Sequence, residues 1–211
     1  MLVERDGQQP RIHPSAIIAE SAVIVGNVTV GARCFVDHGV VVESSGAPVI
    51  LEDEVIVLAN SVVRSVGGRS RPPFPVHVGP RTLVAPGCVL TGCRVGARCY
   101  VATGVLVFHG ADIGDGTRLA VGSIVHHHTR LPPESRVGLR EIAVSDGAGV
   151  LCTGDTAAAR EALARSDFFG RVLGEQVADQ EELHDNVITR LLEELRGHVD
   201  RPAPNDGHEW G

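Results

Sequence analysis

The sequence predicts an all-β solenoid of triangular coils followed by a helical extension. Three observations predict it. Aliphatic residues recur every six positions, small or β-branched residues hold a second fixed place in the same repeat, and aromatic residues are nearly absent. Only 3% of the 211 residues are aromatic, whereas Gly occurs 25 times. A single globular core of this length normally fills its volume with large rings. A stack of thin, similar layers needs few of them.

From Ile18 the aliphatic position recurs at Ile24, Val30, Val36 and Val42. It resumes after a short insertion at Leu51, Val57 and Val63, and after a longer one at Val78, Val84 and Leu90. A five-residue step then leads to Val95, Val101, Val107, Ile113, Leu119, Val125, Leu131 and Val137. The second inward place carries Ala22, Val28, Cys34, Val40, Val55, Ser61, Thr82, Cys88, Cys99, Val105, Ala111, Thr117, Ser123 and Thr129. One large and one small inward residue per hexad suit a three-sided coil, in which each hexad supplies a short strand and a corner. The nineteen aliphatic positions make about six coils, or roughly 30 Å of prism at about 4.8 Å per coil. Gly31, Gly79, Gly96 and Gly114 follow the aliphatic residue and relieve backbone crowding at corners. Cys34, Cys88 and Cys99 read as core fillers.

The hexads end near Gly138. Residues 156–173, with Asp155 as N-cap and Gly170 as a late interruption, read as a first helix. A second runs from about Asp179 to Gly197, with an apolar stripe that includes Leu183, Val187, Leu191 and Leu195. That stripe is expected to pack on the prism or on a partner subunit. The tail 201–211 reads as disordered. The expected organisation is a β-helix over 13–138, a helical extension over 139–200 and the tail.

Composition removes several functions. All 19 basic residues are arginine, so Schiff-base chemistry, a lysine-held pyridoxal cofactor and a Walker-type phosphate lysine are excluded. A net charge of −7 argues against nucleic acid as a partner. The opening MLVERDGQQP lacks a signal-like apolar stretch, and no run of about 18 apolar residues exists. The five cysteines read as reduced thiols. The expectation is a soluble, cytoplasmic protein with no membrane partner.

The hexad signature resembles the left-handed parallel β-helix of the hexapeptide-repeat superfamily. Within it, residues 13–145 resemble gamma-class carbonic anhydrase-like proteins. The resemblance rests on the insertion pattern, the five-residue step in LTGCRVG and the ending GSIVHHHTRLPPESRVG. It implies a homotrimer and, in the enzymes that hydrate CO₂, a zinc ion held between subunits by three histidines. Hexad register puts those ligand positions on Arg64, Pro86 and Thr91, none of which can replace an imidazole nitrogen. The family's arginine falls on Glu43, its aspartate on Ser45 and its glutamine on Leu58. No metal or other cofactor is therefore expected at the family site.

The replacements suggest other chemistry. Glu43, Arg64 and Thr91 share a hexad position, so they should stack on one face. Glu43 and Arg64 can form an ion pair, or an acid/base beside an anion clamp. The insertion Ser65–His77 is expected to overhang them and to add Arg69, Arg71 and His77, with Ser45 and Thr91 as further ligand contacts. His109 and His127 share a hexad position and form a secondary candidate for a metal pair. His38 reads as a surface histidine, and Arg33, Glu54, Arg81 and Arg98 as a charged ladder. Three functions stay open. The first is binding or conversion of a small anionic metabolite in the cleft between subunits, with Glu43, Arg64 and His77 as catalytic candidates. The second is acyl transfer from coenzyme A or a carrier, with His77, His109 or His38 as base. The third is a structural trimer or assembly subunit.

Overall fold

The computed structural model describes residues 1–68, 71–145 and 149–165, all within one unit that spans Met1–Phe168. The chain winds as a left-handed parallel β-helix with three faces. Face 1 holds nine strands, from Leu2–Val3 through Val23–Val25, Val41–Glu43, Val62–Arg64, Val89–Thr91, Leu106–Val107 and Ile124–Val125 to Ile142–Ser145 and Val150–Thr153. Face 2 holds seven, from Arg11–Ile12 to Arg130–Leu131, and face 3 holds seven, from Ile17–Ile18 to Arg136–Val137. Within the three faces neighbouring strands are parallel, except that Val150–Thr153 turns back antiparallel on Ile142–Ser145; outside them Val66–Gly68 and Arg71–Phe74 form an antiparallel pair.

The coil count exceeds the six expected from the hexads, because the outermost rungs break the pattern. At the start, a turn closed by mutual Arg5–Gln8 backbone bonds separates Leu2–Val3 from Arg11–Ile12. At the end, Ile142–Ser145 still pairs with face 1, although its inward residue is Ala143, outside the Ile/Leu/Val rule.

Strand alternation turns the hexad rule into a core. Every aliphatic position from Ile24 to Val137 is buried, and Ile18 lies at the rim. The second inward row is buried throughout, with Ser61 and Thr82 donating their hydroxyls to Ala85 and Gly96 carbonyls in adjacent coils. Cys34, Cys88, Cys93 and Cys99 are buried in the same rows, and burial pushes the Cys93 thiol up to about 12. At the corners, a Cβ added to Gly79 would stand 2.7 Å from Ala97 N, so this place admits only glycine without movement. Two residues later Arg33, Arg81 and Arg98 adopt left-handed φ of 54°, 58° and 54° to complete the bend.

The first helix, α1, spans Thr156–Ala164. The Asp155 carboxylate caps it by accepting from Ala157 N at 2.8 Å. Ala159 and Ala162 are buried, and the helix lies against Ile142–Ser145 and Val150–Thr153. The expected continuation to 173, the helix at 179–197 and the tail at 201–211 lie outside the described residues. Among the described residues no helix is long and apolar enough to cross a membrane.

Candidate functional site

The candidate site is an outward column at the edge of face 1. Val42, Val63, Leu90, Val107 and Val125 point inward, so their neighbours along each strand point outward. Strand register sets Glu43 level with Arg64, and Arg64 level with Thr91. Leu90 is level with Val107, and Val107 with Val125. Phe108 is therefore the rung after Thr91, and His126 the rung after Phe108.

Glu43 sits between two guanidiniums. Its Oε1 accepts from Arg5 Nη1, and its Oε2 lies 3.4 Å from Arg64 Nε. Arg5 Nη1 also reaches the Ser44 carbonyl at 3.4 Å. The Glu43 side chain is 19% exposed, whereas Arg64 is 45% exposed. The trio carries a net positive charge. Being partly solvated, the ion pairs add little to stability, but they orient Glu43 and keep one arginine at the surface. The turn after Glu43 is held by Ser45 N donating to Ser65 Oγ at 2.9 Å and Ser44 Oγ donating to Ala47 O at 2.9 Å.

Arg5 escapes sequence reasoning. It belongs to the broken first coil, 38 residues from Glu43, and hexad counting has no register there. The only available signal was Leu2–Val3, whose aliphatic pair lies level with Ile24–Val25.

His77 stands elsewhere. It lies on face 2, level with Ile50 and Arg94, with Nε2 2.6 Å from Glu52 Oε1. The insertion leaves face 1 after Arg64, pairs Val66–Gly68 with Arg71–Phe74 as a hairpin and delivers the chain to face 2. His77 thus joins an outward ladder in which Arg94 Nη1 meets Asp112 Oδ1 at 3.1 Å. A surface groove of about 410 Å³ beside Arg94, Asp112 and Arg130 belongs to that face, not to the Glu43 column. Arg71 lies in the hairpin strand, and Arg69 lies outside the described residues.

A histidine cluster occupies the corner between faces 1 and 2. His126 stacks on Phe108 with ring centroids 5.5 Å apart and planes at 27°. Desolvation lowers the His126 pKa. His127 is buried, on the coil next to His109. Phe74 meets His109 and His128 edge-on, at 5.6 and 5.7 Å. Its close approach favours glycine at Gly92, where φ is +54° and an added Cβ would stand 2.5 Å from the Phe74 Cβ. Among the described residues no three His, Cys, Asp or Glu side chains converge to hold a metal, so the His109 and His127 pair gains no third ligand there. Arg64 and Thr91 adjoin on face 1, and exposed Pro86 lies at the corner between faces 3 and 1. Leu58 precedes that corner, and exposed His38 contacts Ser21 Oγ at 2.8 Å on it.

No protein-family model matches the chain. It is 24% identical over 124 residues to the mitochondrial gamma carbonic anhydrase 1 of Arabidopsis thaliana, covering 58% of this chain and 45% of that protein. It is 27% identical over 128 residues to carnitine operon protein CaiE of Escherichia coli, covering 57% of this chain and 59% of that protein. The chain thus spans about half the length of the curated relatives it matches. A crystal structure of a candidate acetyltransferase from Bacillus cereus aligns with a TM-score of 0.54 at 20% identity, covering 79% of this chain and 91% of that one. In sequence the chain is distantly similar to a gamma carbonic anhydrase and to CaiE, and its fold is a parallel β-helix like that of the Bacillus cereus structure.

Proposed function

We propose that the protein is a homotrimer that binds or converts a small anionic metabolite at the Glu43–Arg64 column, in a cleft between subunits and without a hydratase metal. The observation that carries this reading is the half-exposed Arg64 guanidinium beside a carboxylate that a second arginine already holds. With its Nε turned to Glu43, Arg64 has its outer edge left for a bidentate grip on a carboxylate or phosphate. Glu43, oriented by Arg5, is then placed to take or give a proton on the bound ligand.

The outward surface supports the assembly. Val41, Val62, Val89, Leu106 and Ile124 form an apolar row on face 1, and Ile17, Phe35, Ile56, Leu83 and Tyr100 form one on face 3. Ile17 is 62% exposed and Tyr100 44%. Two apolar faces meeting at one corner suit packing of three copies around an axis. In that arrangement the Pro86 corner of a neighbour faces the Arg64–Thr91 column, as the ligand positions of the resembled enzymes imply. The test titrates acetate and inorganic phosphate by NMR against the wild type and Arg64→Ala, with mass measured by sedimentation. The expected result is a trimer in both and an affinity loss of about 10- to 100-fold in the variant. Equal binding in both would overturn the site assignment.

A second reading, acyl transfer from coenzyme A, is favoured by one feature. The Glu52 carboxylate orients the His77 imidazole as it would a general base. Thermal protection by coenzyme A that disappears in His77→Ala would favour it. A trimer that binds neither anions nor coenzyme A saturably would leave the structural role.

A further inference from the structure

We infer that the Glu43–Arg64 column takes a planar aromatic carboxylate, whose ring fills the rung left short by Thr91 and whose carboxylate is gripped by Arg64. This rests on the anion-binding reading above and names its ligand class. The column is periodic, because successive coils place equivalent side chains about 4.8 Å apart. His126 and Phe108 already stack as consecutive rungs, 5.5 Å between centroids and 27° between planes. The next rung is Thr91, a short and partly exposed side chain, and the one beyond it is Arg64.

The ring of Phe108 and the level of Arg64 are therefore about 10 Å apart along the axis, separated by a residue that cannot span the interval. A flat ring with a neighbour roughly 3.5 Å from each face takes up about 7 Å, so the interval admits it with room to spare. Below it stands an aromatic face, the preferred partner for an offset-stacked ring. On the other side stands Arg64, whose guanidinium edge binds the carboxylate. The corner beside Thr91 is closed by Phe74, packed over Gly92, so the ligand enters from the outward side. A puckered ring has the same charge and similar volume but lacks a flat face to stack on Phe108. An aliphatic acid of acetate size reaches Arg64 only.

The experiment titrates benzoate, cyclohexanecarboxylate and acetate into the full-length wild type, Arg64→Ala, Phe108→Leu and Thr91→Phe, by ligand-observed NMR and calorimetry. Benzoate is expected to bind tightest. Phe108→Leu, which keeps an apolar side chain of similar reach, should weaken benzoate by roughly 3- to 10-fold and leave acetate unchanged. Thr91→Phe supplies the missing rung and should abolish benzoate binding while the protein keeps its wild-type melting temperature. Equal affinities for benzoate and cyclohexanecarboxylate, or indifference of benzoate to both Phe108→Leu and Thr91→Phe, would overturn the aromatic assignment. In that case Arg64-dependent acetate binding would leave the anion site standing. If no anion binds in an Arg64-dependent way, both readings fall.

Discussion

Faces 1 and 2 obey the same rule inside and differ completely outside. Away from the end rungs both bury an Ile, Leu or Val in each coil, with Leu90 on one and Ile113 on the other at 0% exposure. Outward, face 1 carries an apolar row ending in the Glu43–Arg64–Thr91–Phe108–His126 column. Face 2 carries a charged ladder, with His77 on Glu52 and Arg94 on Asp112. The inward rows have one solution because three faces must meet at a common axis. Outward columns are under no such constraint, so each can be specialised one coil at a time. Stacking then converts residues far apart in sequence into neighbours.

Five substitutions sharpen this contrast. The largest effect is expected inside, where Leu90→Ala removes a fully buried side chain between rigid coils. It should cost about 2–5 kcal/mol, read as a shifted chemical-denaturation midpoint. Ile113→Ala on face 2 should cost the same, and a clear difference between them would break the equivalence of the interiors. At the corners, Gly79→Val drives a side chain into the Ala97 backbone, and the same measurement should show a loss of about 1–3 kcal/mol.

A smaller effect is specific to the face 1 column. Burial disfavours the charged form of His126, lowering its pKa in the folded state. The unfolded chain therefore takes up the proton first, and the His126 contribution is full above the ordinary imidazole value of about 6.5 and declines as pH falls below it. Melting temperature followed from pH 8 to pH 5 should fall less steeply in His126→Leu than in the wild type. Parallel curves would show that His126 does not carry the dependence. The smallest effect is expected on the face 2 ladder, where Arg94→Ala breaks a half-exposed pair. The loss should stay within about 1 kcal/mol and shrink with added salt.

Much of this was legible in the residue pattern. The spacing of Ile24, Val30 and Val36 identified the inward rows, and the shared hexad place of Glu43, Arg64 and Thr91 identified a common column. Asp155 announced the helix start. The pattern misled where its period failed. His77 was expected over the Glu43 column, but the insertion closes on itself as a hairpin and hands the chain to face 2. The first coil was missed because the loop around Arg5–Gln8 replaces a hexad.

The sequence by itself determined the prism, because a six-residue period specifies which side chains point inward through local backbone geometry alone. Tertiary structure decided which outward groups meet. Arg5 reaches Glu43 across 38 residues, and Phe74 seats against His109 and His128. Such meetings depend on where irregular segments return to the stack and on how side chains extend across coils. Periodicity carries neither kind of information.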